Sequence, residues 1–375
     1  MYKRQVFIQF GINDGAENKP ERYISVEDYK KLITDKYIGE VEKRGGTPVL
    51  MTANAAAWWG EENNCFMESR KDYADPTREI AEETGCKFID ENKIVTDAWN
   101  SMDKDDVLSG YFVCEPLESK AYPSGTNDTT HMKAKGAKRV AKLIADAIPE
   151  NVPELAKYLK GDETFTDIQG HWAENVIKTL AESDKISGVG DGKFNPDGTV
   201  TRAEFLKMAM DSLGIVGHAY RDGECLDATN DDWYCYYLQG ALDKDIIPEE
   251  MIENCNVTKV TKTLAEATDD KKAVTTDVNV YTGKFDGDKP ITREEMAAIA
   301  VRCKNYKMRR LTDWDNERRY PIFSFKDSDE IDEKYISDVV EAYNLNYIDG
   351  MEDGRFAPKE NLTRAQAAVV MNNLK

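Results

Sequence analysis

The sequence has no apolar run near the roughly 18 residues that a membrane-spanning helix requires, so no stretch reads as a bilayer crossing and no membrane partner is expected. Positive charge is also scarce, and the net charge is −20. Residues 1–150 hold 21 Lys and Arg against 27 Asp and Glu, and the remaining 225 hold 29 against 43. A field of that sign repels polyphosphates and anionic lipid, which argues against nucleic acid as a partner. Any anionic ligand must be held by a few directed arginine contacts. The seven cysteines (65, 86, 114, 225, 235, 255 and 303) are odd in number, scattered and free of CxxC spacing. That argues against a zinc site and against a complete disulfide framework. Cys86 and Cys114 sit in apolar contexts and are expected to be buried thiols. The acidic loops 191–198 and 349–354 lack EF-hand spacing, and their Gly and Asp residues suffice as turn formers. Neither metal nor cofactor is expected.

What is present describes folded protein: 375 residues, 41% hydrophobic and 32% charged, enough for two or three domains. The first five residues stand apart. Met1-Tyr2-Lys3-Arg4-Gln5 is what ATG-TAT-AAG-AGA-CAG encodes, the end of a transposon adapter used in sequencing libraries. The expectation is that the reading frame starts in adapter and that the natural protein extends upstream of Val6. A natural start at Met1 is the alternative.

From residue 6 to about 150, apolar runs alternate with helical stretches. Residues 6–10, 47–52 and 86–89 read as strands. Residues 27–44 place Tyr29, Leu32, Ile33, Tyr37, Ile38 and Val41 at helical spacing, ended by Gly45-Gly46. Further helices are expected at about 77–84 and 133–148. Short strands alternating with helices predict parallel βα units, hence an α/β sandwich with ligands beyond the carboxyl ends of the strands. Two motifs fall there: Gly11-Ile12-Asn13-Asp14-Gly15 after the first strand, and Asn127-Asp128-Thr129-Thr130-His131-Met132 before the last helix. Taken singly, the first also reads as a turn and the second as a helix N-terminal arrangement. Their order and placement make them stronger together, and His131 is the only histidine of this region.

FGIND followed by NDTTHMKAKGAKRVAKLI resembles two of the sequence blocks of SGNH (GDSL-type) hydrolases, with rhamnogalacturonan acetylesterases the nearest likeness. The resemblance covers nearly all of residues 6–148 and implies strands three to five of a flavodoxin-like (SGNH) three-layer sandwich. It implies that Asn13 donates to an oxyanion hole, that His131 is the general base, and that Asp128 orients the imidazole. The family's nucleophilic serine stands in an earlier GDS block, and a second oxyanion donor in the block after it. Neither block occurs here, and the serines at 25, 69, 101, 109, 119 and 124 all follow Asn13. The chain as given is therefore expected to be inert and its first strand to expose an apolar edge.

Residues 149–164 read as a linker. Beyond them a pattern recurs. Phe165, Trp172, Asp191, Gly192, Phe194, Thr201, Arg202 and Glu204 mark a first repeat. Trp233, Gly283, Phe285, Thr292, Arg293 and Glu295 mark a second; Tyr335, Asp353, Gly354, Phe356, Thr363, Arg364 and Gln366 mark a third. In each, the glycine precedes the phenylalanine by two residues and the phenylalanine precedes the arginine by eight. Trp172 to Arg202 is 30 residues, Tyr335 to Arg364 is 29, and Trp233 to Arg293 is 60, so the second repeat holds an insertion near 250–280. Each threonine with the Glu or Gln three residues on spells a capping box. Capping does not need the arginine between them.

These stretches resemble S-layer homology repeats, with repeats at 165–217, 218–310 and 322–375. The resemblance implies an all-α three-repeat bundle whose grooves bind secondary cell-wall polysaccharide. In that reading Arg202, Arg293 and Arg364 hold carboxylate-bearing sugars, Trp172 and Trp233 offer stacking faces, and Asp191 and Asp353 lie alongside. The expected whole is an extracellular, cell-surface ester hydrolase acting on acetylated polysaccharide. A non-catalytic surface-layer or adhesive protein with a degenerate esterase-like domain is the alternative.

Overall fold

Leu50 lies between Val49 and Met51, and the three side chains alternate across one sheet, as a parallel strand covered on both faces demands. The computed structural model describes residues 4–159, 165–183, 185–219, 225–229, 231–265, 272–311 and 325–374. Met1–Lys3, the end of the expected linker (160–164) and the start of the expected third repeat (322–324) lie outside the described residues. The chain divides into two compact units, Met1–Cys114 with Asn127–Gly161, and Glu115–Thr126 with Asp162–Lys375. The segment Glu115–Thr126, expected to belong with the first region, thus groups with the second unit.

The first unit is α/β. Its elements run β1 (Gln5–Gln9), α1 (Val26–Lys31), wider π-type turns over Leu32–Ile38, α2 (Gly39–Lys43), β2 (Thr47–Met51), β3 (Trp58–Gly60), β4 (Cys65–Met67), α3 (Lys71–Thr84), β5 (Lys87–Ile89), α4 (Glu91–Asn100), α5 (Lys104–Val107) and α6 (Ala134–Asn151). β1, β2 and β5 form a parallel sheet in that order, with Ile8 beside Leu50 and Leu50 beside Phe88. Ile8 and Leu50 meet Tyr29, Ile33, Tyr73 and Ile80 on one face. Val49, Met51 and Ile89 meet Ile144, Ala147 and Ile148 of α6 on the other. Each such side chain, once buried, contributes roughly 1.5–3 kcal/mol. β3 and β4 pair antiparallel over a third cluster that includes Phe66, Trp99, Tyr111 and Phe112.

Gln5, expected to derive from adapter, is the first residue of β1 and pairs with Thr47. Two expectations change here. Cys86 and Cys114 are half-buried; Cys225, Cys235 and Cys303 are the fully buried ones. Helices α4 and α5 were not foreseen. The exposed apolar edge is present, since β1 pairs only with β2 among the described residues and Val6 and Phe7 are exposed.

The second unit builds each repeat from a short helix and a helix that opens at Thr-Arg. The pairs are α7 (Glu174–Glu182) with α8 (Arg202–Ser212), α9 (Cys235–Asp243) with α10 (Arg293–Leu311), and α11 (Ile336–Asn344) with α12 (Arg364–Asn373). Thr201 with Glu204 and Thr363 with Gln366 form capping boxes, and Thr292 with Glu295 makes the same two bonds. The unit is not all-α. The insertion is an antiparallel ribbon of β6 (Glu253–Ala265) and β7 (Val274–Lys284), whose β-branched Val and Thr residues favour strand. Among the described residues no helix is long and apolar enough to cross a membrane.

Candidate functional site

At the carboxyl end of β1 the chain turns through Gly11. Its φ is +99°, and a Cβ there would lie 2.9 Å from Cβ of Tyr73, so only glycine fits. The Gly11 N–H donates to Oδ2 of Asp14 at 3.0 Å, and the Tyr73 hydroxyl donates to the Asp14 carbonyl at 3.0 Å. This tight turn leaves Asn13 exposed.

Before α6, the ring Nδ1 of His131 meets Oδ2 of Asp128 at 2.7 Å. Oδ1 of Asp128 accepts the N–H groups of Thr130 at 2.7 Å and His131 at 2.9 Å. Those backbone donors, led by that of His131, hold the Asp128 carboxyl below the usual range. The His131 side chain is 81% exposed, with Asp128 at its Nδ1. Asp128 is not a helix cap, because the N-cap of α6 is Lys133.

One loop, 53–57 after β2, touches both motifs. Ala53 packs under Gly11, and the Ala57 N–H donates to the Thr129 carbonyl at 2.8 Å. Four residues span about 13 Å at most, so the two motifs share one rim of the sheet. Asn13 makes no direct bond to Asp128 or His131 among the described residues. No described serine hydroxyl bonds Nε2 of His131. Ser25 caps α1, Ser69 accepts the Ala56 N–H, and Ser101 and Ser109 bond carbonyls one turn back.

In the second unit, the three arginines are only 6–7% exposed. Each reaches into another repeat. Arg202 donates to the Phe285 carbonyl at 2.6 Å, Arg293 to that of Phe356 at 2.7 Å, and Arg364 to that of Phe194 at 2.8 Å. Each guanidinium also lies over the ring of the phenylalanine it bonds, at 4.8–5.9 Å. First holds second, second holds third, third holds first. The backbone closes a matching ring in which Val200 N–H donates to Leu362, Leu362 to Ile291, and Ile291 to Val200.

The ring is not uniform. Arg202 also makes a two-point pair with the buried Glu295. Arg364 has Glu204 at 3.8 Å. At the corresponding place Arg293 faces the repeat whose third helical residue is Gln366; like Arg364, which bonds the Ser187 carbonyl, it also donates to a turn carbonyl, that of Asp349.

Sequence reasoning missed the other half of this lock. Asp167 accepts the N–H groups of Phe194 and Asn195, Asp227 those of Phe285 and Asp286, and Asp327 those of Phe356 and Ala357. The signal was legible as Phe165-x-Asp167, Cys225-x-Asp227 and Phe325-x-Asp327. Trp172 and Trp233 are 66% and 52% exposed, each two residues before its helix. By that register the third repeat's counterpart is Lys334, which restores a spacing of 30 to Arg364; Tyr335 is buried core. Asp191 is an exposed turn residue with φ +50°. Asp353 is exposed and pairs with Arg355 at 2.8 Å.

A mixed α/β unit with an imidazole–carboxylate pair at its sheet rim is thus joined to a cyclic three-repeat unit. The family model described as the S-layer homology domain matches residues 164–206 and 324–368, the first and third repeats. Amylopullulanase of Thermoanaerobacterium thermosulfurigenes is 33% identical over 213 residues, which is 57% of this chain and 10% of that protein. The probable rhamnogalacturonan acetylesterase YesY of Bacillus subtilis is 33% identical over 150 residues, 39% of this chain and 62% of that protein. The crystal structure of the YxiM protein of Bacillus subtilis aligns with 42% of this chain and 38% of that one, at 24% identity and a TM-score of 0.31. The chain carries S-layer homology domains and, over another part, similarity to rhamnogalacturonan acetylesterases. It spans less than two thirds of the length of these relatives.

Proposed function

We propose that the chain is part of a cell-surface, extracellular carbohydrate ester hydrolase of SGNH type, in which 6–148 contribute to the esterase domain. A linker, 149–164, leads to S-layer homology repeats at 165–217, 218–310 and 322–375 that hold cell-wall polysaccharide. The observation that carries the esterase reading is the 2.7 Å contact between Asp128 and His131 at the strand-end rim. Asp128 accepts from Nδ1–H and fixes the tautomer, which leaves Nε2 as the base. Nε2 takes the proton of a serine hydroxyl as that oxygen attacks an acetyl carbonyl. The Asn13 amide donates to the developing oxyanion, worth roughly 3–4 kcal/mol in the barrier. Nε2 then returns the proton to the departing sugar hydroxyl. The serine is supplied by sequence outside this chain. A non-catalytic surface protein is the second reading, favoured by the absence of a serine partner for His131 among the described residues.

The exposed Trp172 and Trp233 suit sugar stacking, with Asp191 and Asp353 exposed on neighbouring turns. Arg202, Arg293 and Arg364 shape the grooves from within by holding the phenylalanine turns. The test of the esterase uses protein that includes the upstream sequence, incubated with acetylated pectin or xylan. Acetate should be released, and His131→Ala should slow release by about 10²–10⁴-fold. Unchanged release by that variant, or none from the parent, would refute the reading.

A further inference from the structure

His171 precedes the exposed Trp172, and its ring lies 5.3 Å from the indole, tilted by 37°. Its Nδ1 accepts the Ala173 N–H at 3.1 Å, and its Nε2 meets Oδ1 of Asp197 at 3.3 Å. A ring nitrogen that accepts an N–H carries no proton, so this is the neutral tautomer with its hydrogen on Nε2. Ala173 is the residue before α7 and has no side-chain oxygen to offer, so the imidazole satisfies one of the donors that open the helix. The His171 side chain is only 13% exposed, while Trp172 is 66% exposed. The hydrogen bond is thus inside and the stacking face outside.

A second proton has only Nδ1 to go to. There it would face the Ala173 N–H and the positive end of α7, and the bond between them would be lost. Asp197 opposes that by favouring the charged ring, but its side chain is 84% exposed and its pull is screened. The other charged groups on the elements packed around the ring are committed elsewhere. Glu174 accepts the Gly170 N–H and pairs with Lys178, Asp167 accepts from Phe194 and Asn195, and Arg364 donates to the Phe194 carbonyl. The other repeats lack the device. Asp232 precedes Trp233 and accepts the Thr229 N–H and hydroxyl, donors that hold its carboxyl below the usual range. Glu333 precedes Lys334. Imidazole is the side chain that gains charge just below neutral pH. We propose that His171 is a proton-operated catch on the first repeat. Neutral, it holds Trp172 in place for cell-wall glycan; protonated, it lets go, so mild acid weakens this repeat's grip and leaves that of Trp233 unaffected. The proposal rests on the reading that the repeats hold cell-wall polysaccharide.

The test uses the full chain and purified cell walls, with sedimentation compared at about pH 7.5 and about pH 5. Binding by the unaltered protein should fall about three- to tenfold on acidification, the weight of one aromatic contact. His171→Asn puts an acceptor that does not titrate where Nδ1 stands. Its loss in acid should shrink to that of Trp172→Ala, which retains whatever the walls themselves contribute. The same loss in His171→Asn as in the unaltered protein would overturn the catch and leave the anchoring reading standing. No sedimentation of the unaltered protein at either pH would overturn both. NMR on the unaltered protein decides the matter even where His171→Asn does not fold. The Ala173 amide and the Trp172 indole N–H should shift together with the His171 ring as pH falls, and an Ala173 amide that stays still would refute the switch.

Discussion

The two units treat their polar side chains in opposite ways. In the repeat unit the three arginines are buried and each finds a carbonyl in a neighbouring repeat, with the partner turns fixed by Asp167, Asp227 and Asp327. At the rim of the α/β unit, His131 and Asn13 face solvent. A buried, satisfied polar group holds architecture, since leaving it unmade is costly. An accessible polar group with unused bonding capacity is available to a ligand.

The largest effect that would break this contrast is at Arg202. Arg202→Ala leaves the buried Glu295 with only the partly exposed Lys289 at 3.8 Å as a counter-charge, so the repeat unit should lose about 3 kcal/mol in denaturant unfolding. A loss under about 1 kcal/mol would mean that the lock is ornamental. Next is Glu91, a buried carboxylic acid bonded by Gln9 at the ends of the strands and pushed up to about 7 by burial. Its pKa is raised on folding, so between about 4.5 and 7 the native state binds more protons than the unfolded one, and stability falls as pH rises through that window. Glu91→Gln should flatten that slope, which is worth on the order of 2–3 kcal/mol between pH 5 and 8. An unchanged slope would show that Glu91 is not its source. The smallest stability effect belongs to Trp172. Trp172→Ala should change unfolding by less than about 0.5 kcal/mol yet weaken sedimentation with purified cell walls, and stability loss without binding loss would reverse its assignment.

Local signals were legible in the sequence. The three strands of the parallel sheet fall within a residue or so of their expected places, because continuous apolar runs bounded by turns suit a covered parallel sheet; β3 and β4 were not foreseen. The Asp128–His131 pair and the capping boxes are three-residue spacings that close on themselves. The arginine partners were not legible, because Arg202, Arg293 and Arg364 bond residues 83, 63 and 170 positions away. Spacing announced that the arginine mattered but not that it points inward. The ribbon of β6 and β7 was visible only as surplus length, although its Val and Thr content favours strand.

Ester cleavage by this pair depends on Asp128 setting the His131 tautomer, and the direct measurement is acetate release by the parent protein carrying Asp128→Asn. Asparagine retains the shape and reverses the hydrogen-bond preference, so kcat at neutral pH should fall about 10³–10⁴-fold while the unfolding midpoint stays near that of the unaltered protein. A kcat within a few-fold of the original, with the fold intact, would contradict it.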